Sequence, residues 1–228
     1  MRLETRHTLR RLAVPLALVL ASAVCAALVE VRVQRTGHTF YRFLDWNLFL
    51  AWIPFGLAAT AQALVRPGGR LIATLLSVLW LLFFPNAPYI VSDFVHLGPS
   101  RSVPLWYDGL MLSAFAGTGL LLGFASLRLM QQVWRRMVGP VLSWAGVVAA
   151  IGLGSVGVYL GRVFRLNSWD ALLHPLEVTG LVLRQLANPF AHRWAALVIV
   201  AVAAGLLVAY AVLYGLAGGR TGVERERT

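Results

Sequence analysis

The chain contains no lysine; all 20 of its basic residues are arginine. That absence removes Schiff-base and lysine-base chemistry. There is one cysteine, Cys25, so no intrachain disulfide can form. Its apolar neighbours make it a small packing residue. Charge is scarce: 13% of the 228 positions, against roughly 25% in a soluble domain, and only 9 residues are acidic. No run of arginines alternates with aromatics, so the net charge of +11 does not indicate a nucleic-acid partner. There is no internal repeat and no low-complexity tract.

What fills the chain is apolar, 59% of it. A membrane-crossing helix needs about 20 mostly apolar residues. Six stretches qualify: Leu12–Val29, Trp46–Val65, Leu71–Phe84, Asp108–Met130, Val141–Tyr159 and Trp194–Leu216. The fold expected is therefore all-α, a polytopic membrane helix bundle of about six spans. Residues 1–11 form a basic N-terminus, residues 12–216 the transmembrane domain and residues 217–228 a polar tail. Ala21-Ser22-Ala23 resembles a cleavage site, so a cleaved signal is the alternative to a retained first span; apolar residues continuing to Val29 favour retention.

Arginine asymmetry sets the orientation, because cytoplasmic loops carry the excess. Twelve arginines fall on the side of the termini and eight on the other. Both termini are thus expected in the cytoplasm of a multi-pass cell-membrane protein. On that topology all four aspartates and all four asparagines fall on the outer side. This pattern points to an outer-facing polar site.

Four segments carry it. Asp45-Trp46-Asn47 enters the second span, with Asp45 as N-cap, Trp46 and Trp52 in the interfacial belt, and Asn47 in need of a partner. The stretch Phe83–Pro99 interrupts the third span at Pro85 and Pro88. There Asn86 caps a new short helix that Gly98-Pro99 ends. With a 3.6-residue period, Ile90, Phe94 and Leu97 share its buried face, and Tyr89, Asp93 and His96 share another. Asp93 and His96 are spaced for an acid/base pair or two metal ligands; a wetted interfacial face fits the same spacing. Trp106-Tyr107-Asp108 enters the fourth span with Asp108 as a second N-cap. The run Gly161–Asp170 leaves the fifth, where Arg162 and Arg165 suit either the helix dipole or an anionic group. Asn167 or Ser168 caps the next helix, and Asp170 completes a capping box. Leu176–Leu186 reads as a second interfacial helix, before the sixth span. The glycine pairs Gly119–Gly123 and Gly157–Gly161 are small-residue seams, which would bring Asp108 to Arg162.

The segments Trp46–Pro54, Phe84–His96, Trp106-Tyr107-Asp108 and Gly161–Asp170 resemble the signatures of an uncharacterised bacterial membrane family, domain of unknown function 1361. The resemblance runs from about Phe43 to Leu216. It implies a polytopic protein of the bacterial inner membrane and no established activity.

Three functions compete. An outer-facing enzyme would act on a lipid headgroup, a lipid-linked sugar or a membrane-near peptide. Asp93 and His96 would be its catalytic pair, and Asn47, Asn86, Asp108, Arg162, Arg165, Asn167 and Asp170 would bind an anionic substrate. A scaffold or assembly factor would bind another envelope protein. A transporter is disfavoured, because the mid-span polar groups are Ser, Thr and Gln62 only. No nucleophile, cofactor or metal is specified by the sequence; the one partner it names is the lipid bilayer.

Overall fold

The computed structural model describes residues 2–66, 69–98, 103–174, 176–180, 183 and 193–225, and among these every regular element is helical. The elements are α1 (Arg2–Thr36), a 3-10 turn (Phe40–Arg42), α2 (Phe43–Leu64), α3 (Arg70–Phe83), α4 (Asn86–Tyr89), a 3-10 helix (Ile90–His96), α5 (Leu105–Val138), α6 (Pro140–Phe164), α7 (Asp170–Leu173) and α8 (Arg193–Arg225). Six helical stretches are long and apolar enough to cross a membrane: Leu12–Thr36, Phe40–Leu64, Arg70–His96, Leu105–Val138, Pro140–Phe164 and Arg193–Leu216. The all-α polytopic architecture read from the hydrophobic runs is the one observed. The chain divides into two compact units, Met1–Met130 and Gln131–Thr228.

In the first unit α1 buries Leu18, Cys25, Val29 and Arg32, at spacings of seven, four and three residues. That is one narrow seam of a helix. The rest of α1 exposes Leu12, Val14, Leu16, Val19, Leu20 and Val24. An apolar girdle of that extent has lipid, not water, as its solvent. On α2 a matching seam of Leu44, Leu48, Ala51, Ala58 and Ala61 is buried. Its small alanines let neighbouring helices approach closely.

The α-helix of the third span ends at Phe83, before Pro85, and the short α4 and the 3-10 helix follow it, as the prolines predict. Phe84, Pro85, Tyr89 and Ile90 all keep right-handed helical dihedrals. What changes is the hydrogen-bond ladder. Pro88 cannot donate to the Phe84 carbonyl, so that carbonyl takes the Ala87 N–H instead, at 3.2 Å. The Phe83 carbonyl thereby loses its own partner and accepts Asn86 Nδ2 at 2.9 Å. Asn86 is thus not the cap expected of it; its amide repairs the ladder one turn back. Beyond α4 the chain tightens to 3-10 winding over Ile90–His96, three residues per turn.

That change of period overturns the expected faces. Ile90 and Asp93 are each 1% exposed, and His96, three residues further on, is half-buried. Phe94, expected in the core, is 38% exposed, and Val91, Val95 and Leu97 are also exposed.

Gly119 and Gly123 on α5 face this tightened segment. A Cβ on Gly119 would lie 2.8 Å from Ile90 Cδ1 and 2.9 Å from the Ala87 carbonyl oxygen; one on Gly123 would lie 3.0 Å from Ala87 Cβ.

In the second unit Gly139, at φ +86°, turns the chain between α5 and α6, and Pro140 opens α6. Only glycine adopts that φ without strain. The ring of Trp134 covers Gly146. Tyr210 of α8 donates its hydroxyl to Gln131 Oε1 at 2.6 Å, in the interior. Trp144 packs edge-on against Tyr214, with centroids 4.9 Å apart. Residues 176–180 are helical, and the remainder of the interfacial helix expected there lies outside the described residues.

Candidate functional site

The polar groups of the first unit gather at one end, where α1 finishes and α2 and α5 begin. Two of the aspartates do not cap the helices they open. The helix α2 starts at Phe43, which puts Asp45 inside its first turn. Likewise α5 starts at Leu105, which puts Asp108 inside its own. An acid in a first turn is favoured by the helix dipole in either case. Asp45 Oδ1 is enclosed and accepts no hydrogen bond among the described residues.

Asp108 is 1% exposed and meets Arg32, which is 7% exposed. The pair is bidentate: Arg32 Nε donates to Oδ1 at 2.7 Å and Nη2 to Oδ2 at 3.0 Å. The guanidinium also lies over the Tyr41 ring, 4.3 Å from its centroid. Planar forks of this kind are what arginine supplies and lysine does not. Both Asp108 oxygens are thus taken by an arginine that the sequence places in a loop. The neighbouring Tyr107 donates its hydroxyl to the Leu28 carbonyl at 2.8 Å, fastening α5 to α1 a second time.

Around Tyr41 the cluster continues. Its hydroxyl donates to the His96 carbonyl at 2.7 Å. The His96 ring lies edge-on to Phe43 and Phe40, at 5.1 Å and 5.7 Å between centroids. Asn47 Nδ2 donates to Asp93 Oδ2 at 2.9 Å, joining α2 to the 3-10 helix. So Asn47 meets Asp93, Tyr41 meets the His96 backbone, and the Tyr41 ring covers the Arg32 that pairs with Asp108. Asn86, seven residues before Asp93, gives its amide to the Phe83 carbonyl. A rim pair, Arg42 Nη2 to Glu30 Oε2 at 2.9 Å, is exposed.

The remaining candidates belong to the second unit. Arg162 lies in the last turn of α6, half-buried, and Arg165, exposed, closes it in the left-handed conformation at φ 55°. The Asn167 backbone N–H donates to Asp170 Oδ2 at 2.6 Å. The helix α7 opens at Asp170 with Trp169 as its N-cap and no side-chain cap bond, so the cap expected of Asn167 or Ser168 and the capping box expected of Asp170 are not formed; the Asp170 carboxylate instead fastens the turn before the helix.

Chemically, two acids of the first-unit cluster, Asp93 and Asp108, are held by partners. A buried carboxylate is tolerated in an apolar setting when its oxygens are hydrogen-bonded or paired. Asp108 meets that condition through Arg32, and Asp93 through Asn47. Asp93 and His96 share a face of the 3-10 helix, but no group of three His, Cys, Asp or Glu among the described residues is placed to hold a metal ion. The sequence reading missed Arg32, Tyr41 and Tyr107. For Arg32 a signal was available: it stands seven residues after Cys25 on the buried seam of α1.

Residues 46–209 match the family model described as "Protein of unknown function (DUF1361)", well over half of the chain, and the chain belongs to that family. The basic N-terminus, α1 and the tail lie outside the matched residues. No curated protein and no solved structure matches the chain.

Proposed function

We propose that this member of the DUF1361 family is a multi-pass cell-membrane protein with both termini cytoplasmic, working as a scaffold or assembly factor for another envelope protein through its non-cytoplasmic end. The observation that carries this reading is the closure of the acids: Asp93 and Asp108 are each 1% exposed and bonded to Asn47 and Arg32. A general acid or base must reach the proton it transfers. Here those carboxylates hold helices together. The orientation rests on the twelve-to-eight arginine count. Reporter fusions after Arg66 and after Gly98 are expected to lie in the cytoplasm and outside it, respectively.

A second reading keeps the outer end as an enzyme site for a lipid headgroup or lipid-linked substrate. His96 is half-buried beside Asp93 on the 3-10 helix. One experiment separates the two. The purified protein and its Asp93→Asn variant are held in nanodiscs of extracted membrane lipid, and headgroups are followed by mass spectrometry. The scaffold reading expects unchanged lipid with both. Headgroup turnover by the parent protein that vanishes in Asp93→Asn would replace it with the enzyme reading.

A further inference from the structure

The 3-10 helix Ile90–His96 has inverted polarity for a segment at the end of a span. Its one acid, Asp93, turns inward, while Val91, Phe94 and Val95, and Leu97 just past its end, turn outward, Val95 at 69% exposure. A segment projecting into water would carry these faces the other way round. We infer that Ile90–His96 is an interfacial foot, seated against the phospholipid headgroup layer with Val91, Phe94 and Val95 toward the lipid.

Length supports this placement. Arg70–Tyr89 is 20 residues, helical except for the turn at Phe84 and Pro85, whose dihedrals remain right-handed helical; at 1.5 Å per residue they span about 30 Å, the thickness of the hydrocarbon core. The seven residues of the 3-10 helix add about 14 Å at 2.0 Å each, for a total of about 44 Å. A bilayer including its headgroups measures about 40–45 Å. The foot therefore begins where the hydrocarbon ends. The neighbouring helix gives the same level independently. Trp46 lies 18 residues before Leu64, the last residue of α2, or about 27 Å along the helix. Asn47, next to Trp46, bonds Asp93 of the foot. The exposed aromatics Phe40, Trp46, Phe49 and Trp106 suit the same layer.

The consequence reaches the polar cluster. Arg32, Asn47, Asp93 and Asp108 lie at headgroup depth and not in an aqueous loop, so whatever meets this end of the unit meets it within the interface.

Spin labels test this in nanodiscs of phosphatidylcholine. Cys25→Ser removes the native thiol, and single cysteines replace Val95 and Phe94, both exposed. Collision rates with oxygen and with a water-soluble nickel chelate give label depth, calibrated by phosphatidylcholine labelled on its headgroup and at mid-chain. Labels at both positions are expected at the depth of the headgroup standard or just below it. Nickel access equal to that of a label free in water would overturn the inference, because the segment then projects from the membrane. A label protected from both reagents would overturn it too, because protein and not lipid then covers the foot.

Discussion

Breaking the Arg32–Asp108 pair is the most direct perturbation of the first unit. Both groups are almost entirely enclosed and joined by two hydrogen bonds of 2.7 and 3.0 Å. Asp108→Ala leaves a guanidinium with no counter-charge in an apolar setting. In soluble proteins, removing one partner of such a pair costs about 3–5 kcal/mol. Inside bilayers, polar pairs measure less, on average about 0.6 and at most about 1.7 kcal/mol, because the unfolded chain in the membrane also finds partners. The Arg32–Asp108 pair should exceed that range, since two charges and not two neutral dipoles are involved and Tyr41 covers the guanidinium face. We expect Asp108→Ala to cost about 3 kcal/mol. The double replacement Arg32→Met with Asp108→Leu should cost far less, since removing both ions also removes their desolvation penalty. Unfolding in mixed micelles by a graded denaturing detergent measures the single replacements and the double one. A coupling energy near zero in that cycle would refute the reasoning and demote the pair to a surface contact.

The glycines of α5 should divide by what faces them. Gly119→Ala is expected to destabilise by about 1–3 kcal/mol through overpacking against Ala87 and Ile90, while Gly117→Ala, with nothing within 4 Å, should be neutral or mildly stabilising; melting temperatures in detergent compare them. Tyr210→Phe removes the donor to Gln131 Oε1 and should cost about 1 kcal/mol without changing the fold, again read from thermal unfolding. Intact mass of protein extracted from membranes should show α1 retained; loss of the residues up to Ala23 would contradict its packing.

Legibility in the sequence followed the reach of each signal. Hydrophobic run length depends on bilayer thickness alone, and it located all six spans. Helix ends were read too short wherever polar residues are paired inside the fold. The first span was ended at Val29, yet α1 continues to Thr36 because Arg32 has a partner 76 positions away. No local pattern encodes that partner. The face assignment on 90–97 failed for a different reason. It assumed 3.6 residues per turn, and after Pro85 and Pro88 the chain adopts three. A tighter period turns Asp93 inward and Phe94 outward with no change in composition. The meeting of Asn47 with Asp93 is a tertiary fact, suggested only by an amide placed where it needed a partner.

The family match begins at residue 46, beyond the end of α1, and this sets a boundary that the packing does not respect. Asp108 lies inside the matched residues, and its counter-ion, Arg32, lies outside them. Ser22 of α1 likewise accepts the Trp52 indole N–H at 3.0 Å, and Thr118 of α5 lies 3.4 Å from the Cys25 sulfur. Cutting after Ala23 would remove Leu18 and Ser22 and leave Val24–Thr36. Those 13 helical residues reach about 20 Å, too short to cross a hydrocarbon core of about 30 Å. Arg32 would then be free to leave with the shortened helix for the aqueous side, and Asp108 would stay behind, enclosed and unpaired. The first helix is therefore part of the folding unit that the matched segment needs, and the buried arginine is the group that makes it so.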